Sequence, residues 1–197
     1  MIKVFIFDMG GVVKKEINFI GKLSKYLECN ENRFRDNPKI QDSLFDLVEG
    51  KITEQKFWSI YQNEYNLTKD TTNLLLKIYN PPEIEGTVNL IQNLRNKNYR
   101  VVCGTNTLIS HYNFHKEQGD YDCFDKIYAS PIIHIAKPKI EFFDYICKKE
   151  AVNPKEALFI DDRQINIDSA KDYGLNVIRF DNLEQVTKEI FINLNIN

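Results

Sequence analysis

The sequence predicts an α/β fold: a doubly wound parallel sheet with a helical insertion after its first strand. Three observations predict it. Residues Ile2 to Phe7 form a short, nearly all-apolar run of β-branched and aromatic side chains, as expected of a strand buried on both faces. From Pro82 onward, strand-like and helix-like segments alternate, which implies βαβ units with right-handed crossovers. Between these regions, from Lys14 to Asn80, only helical periods occur.

Taken in order, the first strand ends on Asp8, followed by Met9, Gly10 and Gly11. The insertion carries helical patterns in F-I-G-K-L-S-K-Y-L, S-L-F-D-L-V-E-G and E-Q-K-F-W-S-I-Y-Q-N-E-Y. Asn37-Pro38 and Gly50 punctuate it, and Pro81-Pro82 closes it. A helix with Val88, Leu90, Ile91 and Leu94 on its apolar face follows, ending near Asn98. Y-R-V-V-C reads as a strand, Leu108 to Gln118 as a helix, Lys126 to Ala129 as a strand and Ile140 to Glu150 as a helix. A-L-F-I is a strand ending on Asp161-Asp162, and Ile165 to Tyr173 is a helix that Gly174 stops. N-V-I-R-F is the last strand, and Leu183 to Leu194 the last helix. The predicted domains are residues 1–13 with 82–197 as the core and 14–81 as a helical cap.

With 197 residues, 43% of them apolar, the chain suits one core domain and a smaller insertion. A net charge of −2 gives no basic excess for nucleic acid and no polybasic tail for a membrane. The N-terminal apolar run is too short for a signal or a transmembrane helix. The four cysteines, Cys29, Cys103, Cys123 and Cys147, are scattered without a C-x-x-C pair, the pattern of reduced thiols in a cytoplasmic protein. The sequence carries no signature of a particular oligomeric state.

In doubly wound sheets, ligands bind at the carboxyl ends of the strands, near the switch in strand order. The residues just past the predicted strands are Asp8 to Gly11, Gly104-Thr105-Asn106, the loop reaching Lys137, and Asp161-Asp162. Three carboxylates brought together repel: at about 4 Å and an effective dielectric near 20, each pair costs about 4 kcal/mol. A hard divalent cation with oxygen ligands offsets that, and Mg²⁺ needs only one or two carboxylates plus waters and a substrate phosphate. The absence of His and Cys at these positions argues against zinc. Lys137, Thr105 and Asn106 are groups that hold phosphate. The set points to phosphoryl transfer, with Asp8 as a carboxylate nucleophile.

These motifs resemble the haloacid dehalogenase (HAD) superfamily. They are F-D-M-G-G-V-V, V-V-C-G-T-N-T, A-K-P-K-I-E-F-F and F-I-D-D-R-Q-I-N-I-D-S-A-K-D-Y-G, in that order, and they span Ile2 to about Phe180. The D-x-G-G form is similar to α-D-glucose-1-phosphate phosphatase-like members. The resemblance implies a Rossmann-like core and a cap over the site. It implies Asp8 as nucleophile and metal ligand, and the Gly10 carbonyl and Asp162 as further Mg²⁺ ligands, with Asp161 close by. Thr105, Asn106 and Lys137 would hold the phosphoryl group, and Asn166 would steady the Asp161-Asp162 loop. The expected function is a Mg²⁺-dependent phosphatase acting through an aspartyl-phosphate on a small phosphorylated metabolite, such as a sugar phosphate. One departure stands out: the family's second motif-one Asp, a proton donor, is Gly10 here. A catalytically weak phosphate-binding or regulatory protein, and a dehalogenase, are the alternatives.

Some residues admit two readings. His111 and His115, four apart on a predicted helix, suit either a metal pair or an ordinary helix face. Phe57, Trp58, Tyr61 and Tyr65 suit either a substrate pocket or the core of the insertion. Lys14 and Lys15 either attract an anionic substrate or are solvated.

Overall fold

Strand β1 (Val4–Phe7) pairs in parallel on both sides, with β2 (Arg100–Thr105) and with β4 (Ala157–Asp161). The computed structural model describes residues 1–15 and 18–193. Leu194 of the predicted last helix, and residues 16 and 17 of the insertion, lie outside the described residues. With β3 (Lys126–Ala129) and β5 (Asn176–Arg179), the strands form one parallel sheet in the order β3-β2-β1-β4-β5. The chain builds outward from β1 to β3, then returns to the other side of β1, so the strand order switches beside β1.

The central place of β1 explains its composition. Successive side chains point to opposite faces of a strand. Phe5 and Phe7 enter one apolar cluster with Leu90, Ile91 and Leu94 of α6 (Thr87–Asn96). Val4 and Ile6 enter the other, with Phe142, Phe143 and Ile146 of α9 (Ile140–Glu150). Both faces are covered by helices, as a parallel sheet requires.

The insertion folds as helices α1 (Phe19–Leu27), α2 (Asn32–Arg35), α3 (Pro38–Val48), α4 (Glu54–Tyr65) and α5 (Leu74–Lys77). Local chemistry fixes their starts. The Asn18 side chain accepts from Gly21 N–H, Asn37 from Lys39 and Ile40, and Thr53 from Lys56, so each satisfies an N–H that the helix leaves orphaned. Leu23, Phe34, Ile40, Leu47, Phe57, Trp58, Tyr61 and Leu74 form a third apolar cluster, joined by Leu108. The aromatic set therefore packs inward: Tyr61 stacks on Phe34 at 4.8 Å, and Trp58 meets Phe57 edge-on.

The remaining helices are α7 (Ile109–Glu117), α8 (Ser130–Ile133), α10 (Gln164–Tyr173), ended by Gly174 at φ 104°, and α11 (Leu183–Lys188). A π-helical segment, Glu189–Asn193, continues α11. No helix among the described residues is long and apolar enough to cross a membrane.

Candidate active site

Register places the site. Phe7 lies opposite Ile160 on one side and Cys103 on the other, so the next residues, Asp8, Asp161 and Gly104, meet at one rim beside the switch in strand order. Asp8 N–H donates to the Ile160 carbonyl at 2.9 Å, which carries the β1 ladder to the edge. The Asp8 carboxylate then accepts from Met9 N–H through Oδ1 at 2.7 Å and faces Lys137 Nζ through Oδ2 at 3.0 Å.

Lys137 is fully buried between two acids, with Nζ 2.6 Å from Asp161 Oδ2. Asp161 also accepts from Arg163 N–H at 2.8 Å and from Asn166 Nδ2 at 3.0 Å. Oxygens of Asp8, Asp161 and Asp162 lie within 4.8 Å of one another. Asp8 and Asp161 share the single ammonium of Lys137.

Burial pushes Asp8 up to about 7, with Asp161 adding to the rise and Lys137 opposing it. Burial also acts to raise Asp161, but Lys137, Arg163 N–H and Asn166 outweigh it and hold the carboxyl below its usual range. Burial acts to lower Lys137, and the two acids more than offset it, so its pKa is raised. The donors are all hard oxygens, which fits a divalent cation of the Mg²⁺ type and not zinc.

The two glycines after Asp8 have different reasons. Gly11 has φ 76°, and a Cβ there would lie 2.3 Å from the Asp162 carboxylate. A side chain there would strain the backbone and displace Asp162. Gly10 is exposed, and a Cβ there would meet nothing within 4 Å. Its lack of a side chain is not imposed by packing.

Thr105 ends β2 and is buried. The Asn106 amide forms a reciprocal pair with the Lys137 backbone: Nδ2 donates to the carbonyl and Oδ1 accepts from the N–H, both at 2.8 Å. The Asn106 side chain thus positions the Lys137 loop. Two contacts that no sequence signal marked hold the same loop from the insertion. Glu49, fully buried past α3, accepts from Ala136 N–H at 3.1 Å and from Lys139 Nζ at 2.6 Å, and pairs with Lys51 at 2.7 Å. Ser130 donates to the Val48 carbonyl at 2.7 Å.

A cavity of about 310 Å³ opens beside the strand ends, between Met9, Gly10, Thr105 and Asn106 on one side and Phe19, Ile20, Leu44 and Val48 of the insertion on the other. His111 and His115 line it but do not form a metal pair. His111 Nε2 donates to the Leu75 carbonyl at 3.1 Å. His115 Nδ1 donates to Asp120 Oδ2 at 2.7 Å, and Nε2 accepts from the Tyr79 hydroxyl at 2.6 Å. Lys14 is 2.6 Å from Asp120, while Lys15 is exposed at the cavity wall. Tyr79 and Tyr121 also line the cavity; neither follows a predicted strand, so position in the sequence gave no cue to them.

Residues 2–174 match the family model of haloacid dehalogenase-like hydrolases. The chain belongs to this family. It is 27% identical to D-ribitol-5-phosphate phosphatase of Bacteroides thetaiotaomicron, over 99% of this chain and 100% of that protein. A protein of Porphyromonas gingivalis described as a predicted HAD-like family hydrolase superposes with a TM-score of 0.81 at 22% identity, covering 100% of both chains. A HAD-family enzyme of B. thetaiotaomicron, crystallised with magnesium and inorganic phosphate, superposes with a TM-score of 0.74 at 22% identity, covering 94% of this chain and 99% of that one. The chain is a hydrolase of this family.

Proposed function

We propose that the chain is a Mg²⁺-dependent phosphatase that hydrolyses a small phosphate monoester through an aspartyl-phosphate. The observation that carries this reading is the buried row in which Asp8 and Asp161 share one lysine, Lys137, with Asp162 close enough for all three carboxylates to reach one cation. In this reading Asp8, Asp161 and Asp162, with the Gly10 carbonyl, would hold the cation, which would offset charge on the phosphoryl oxygens. The likeness to a phosphatase of a phosphorylated alditol supports the same reaction class.

The chain's own groups have these roles. An Asp8 oxygen attacks phosphorus, the bond from phosphorus to the ester oxygen breaks, and the departing alkoxide takes a proton from water and leaves as the alcohol. Water then attacks the phosphorus of the aspartyl-phosphate, releasing inorganic phosphate and restoring the Asp8 carboxylate. Met9 N–H and Lys137 Nζ orient the Asp8 carboxylate. Lys137 and Thr105 stabilise charge on the transferring group. Asn106 holds Lys137 and Asn166 holds Asp161. The helices of 14–81 act as a cap that excludes water and contacts the alcohol. We place this activity in the cytoplasm, consistent with four cysteines that remain free thiols.

A second reading, a phosphate-binding protein that turns over slowly, is favoured by Gly10, which offers no carboxyl to protonate the leaving group. Phosphate release with Mg²⁺ from acetyl phosphate and a panel of metabolite monoesters separates the two. Release above an Asp8→Asn control supports the enzyme; none from any substrate supports the binding protein. Because position 10 has open space, Gly10→Asp is expected to speed hydrolysis of alkyl monoesters by up to about 10²-fold. An unchanged rate would mean that water or another group already supplies the proton.

A further inference from the structure

The cavity beside the strand ends is walled on the insertion side by carbon, chiefly Phe19, Ile20, Leu44 and Val48, with Pro81 and Leu108 completing the apolar surface. Polar side chains also reach it: Lys15, Thr105 and Thr107 line it, and most of the others are already committed within the protein. His111 is used by the Leu75 carbonyl, both ring nitrogens of His115 by Asp120 and Tyr79, Lys14 by Asp120, and the Asn106 amide by the Lys137 backbone. The Tyr121 hydroxyl is the contrast: it is buried and makes no hydrogen bond to the described residues.

An alditol or sugar carried into this space would bury several hydroxyls against carbon, with few groups to receive them. A buried hydroxyl without a partner is strongly disfavoured. A compact apolar group would instead be stabilised by leaving water. The volume of about 310 Å³ is ample, since a cavity of about 150 Å³ lined by Leu, Ile and Phe holds benzene.

We propose that the cavity selects phosphate monoesters of apolar, ring-sized alcohols with at most one further polar group, which Tyr121 would meet, over polyhydroxylated sugar or alditol phosphates. This rests on the phosphatase reading above. It narrows the substrate class expected from the sequence and departs from the alditol phosphate named for the Bacteroides relative.

The test compares kcat/KM of the full chain with Mg²⁺ for benzyl phosphate and D-ribitol 5-phosphate. Both release a primary alcohol, so the contrast reports the cavity. Acetyl phosphate serves as a probe with a small leaving group. Benzyl phosphate is expected to exceed ribitol 5-phosphate by at least about tenfold, given that an apolar pocket discriminates by about 10–200-fold per group. Equal values, or a preference for ribitol 5-phosphate, would overturn the proposal and leave the phosphatase reading intact. Release from none of the three above the Asp8→Asn control would overturn the phosphatase reading, and the proposal with it. Leu44→Asn is expected to lower the benzyl-to-acetyl ratio about tenfold, and an unchanged ratio overturns the proposal. Should that variant fail to fold, the near-isosteric Val48→Thr reads the same ratio.

Discussion

Two clusters that pair buried acids with lysines flank the Lys137 loop, and they are built to opposite ends. At the sheet rim, two acids, Asp8 and Asp161, share one lysine, Lys137, with Asp162 nearby. At the seam with the insertion, Glu49 alone faces two lysines, Lys51 and Lys139, and also accepts a backbone N–H from Ala136. The consequences differ in sign. Burial raises Asp8, and its single shared lysine does not undo that. Burial also acts to raise Glu49, but Lys139, Lys51 and the Ala136 N–H reverse it and hold the carboxyl below its usual range. A buried carboxylate with enough partners is a fastener. One with too few is poised to gain something from outside, in the proposed function a cation and a phosphoryl group.

Substitutions sharpen or break this contrast. Asp8→Asn is expected to cause the largest change, a loss of phosphate release of about 10⁴-fold or more. The fold should persist by circular dichroism, because the change relieves like-charge repulsion. Activity within tenfold of the parent would end the distinction between the clusters.

Lys137→Met comes next. It leaves the rim acids without their shared cation, and breaking such a buried pair costs about 3–5 kcal/mol. The midpoint of urea unfolding should fall accordingly, and activity should fall by about 10³-fold because charge on the transferring phosphoryl loses its cation. An undiminished midpoint would show that the rim is less buried than its geometry implies.

His111 offers a buried group with no charge at all. Burial lowers it to about 4 from an ordinary 6.5, so between those values the unfolded chain binds the extra proton. Stability is therefore full above about pH 6.5 and falls as the pH drops toward 4, by about 3 kcal/mol at about 1.4 kcal/mol per unit. Chemical unfolding across this range should show that slope in the parent and a flatter one in His111→Gln. Identical slopes would assign the acid sensitivity to other groups.

Glu49→Gln is expected to be the mildest. The amide oxygen can still accept from Ala136 N–H, so the loss is limited to charge-assisted bonds worth about 1.5–3 kcal/mol. A fall in Tm of a few degrees is expected, with phosphate release reduced far less than in Lys137→Met. A loss as large as that of Lys137→Met would make Glu49 part of the reaction and not a fastener.

Much of this molecule was legible in the chain because its signals are local. The run Ile2 to Phe7 ending on Asp8, the alternation after Pro82 and the caps Asn37 and Thr53 each act within a few residues. The elements that escaped, α2, α5 and α8, have four residues each, too short for a helical period to register. The strand-end rule also located Asp8, Thr105, Lys137 and Asp161-Asp162. It did not show that the Asn106 amide is spent on the Lys137 backbone, or that His111 and His115 are bound within the protein.

The sequence by itself determined the order of elements, the central strand and the set of polar residues at its rim, since these follow from side-chain periodicity and from position after a strand. Only the tertiary structure decided which charges are shared. Lys137 meets Asp161 across 24 positions, and Glu49 meets Lys139 across 90. The carbon wall opposite Gly10 likewise joins α1 and α3 to the ends of β1 and β2. Such contacts depend on how the helices pack over the sheet, and no spacing along the chain encodes that distance.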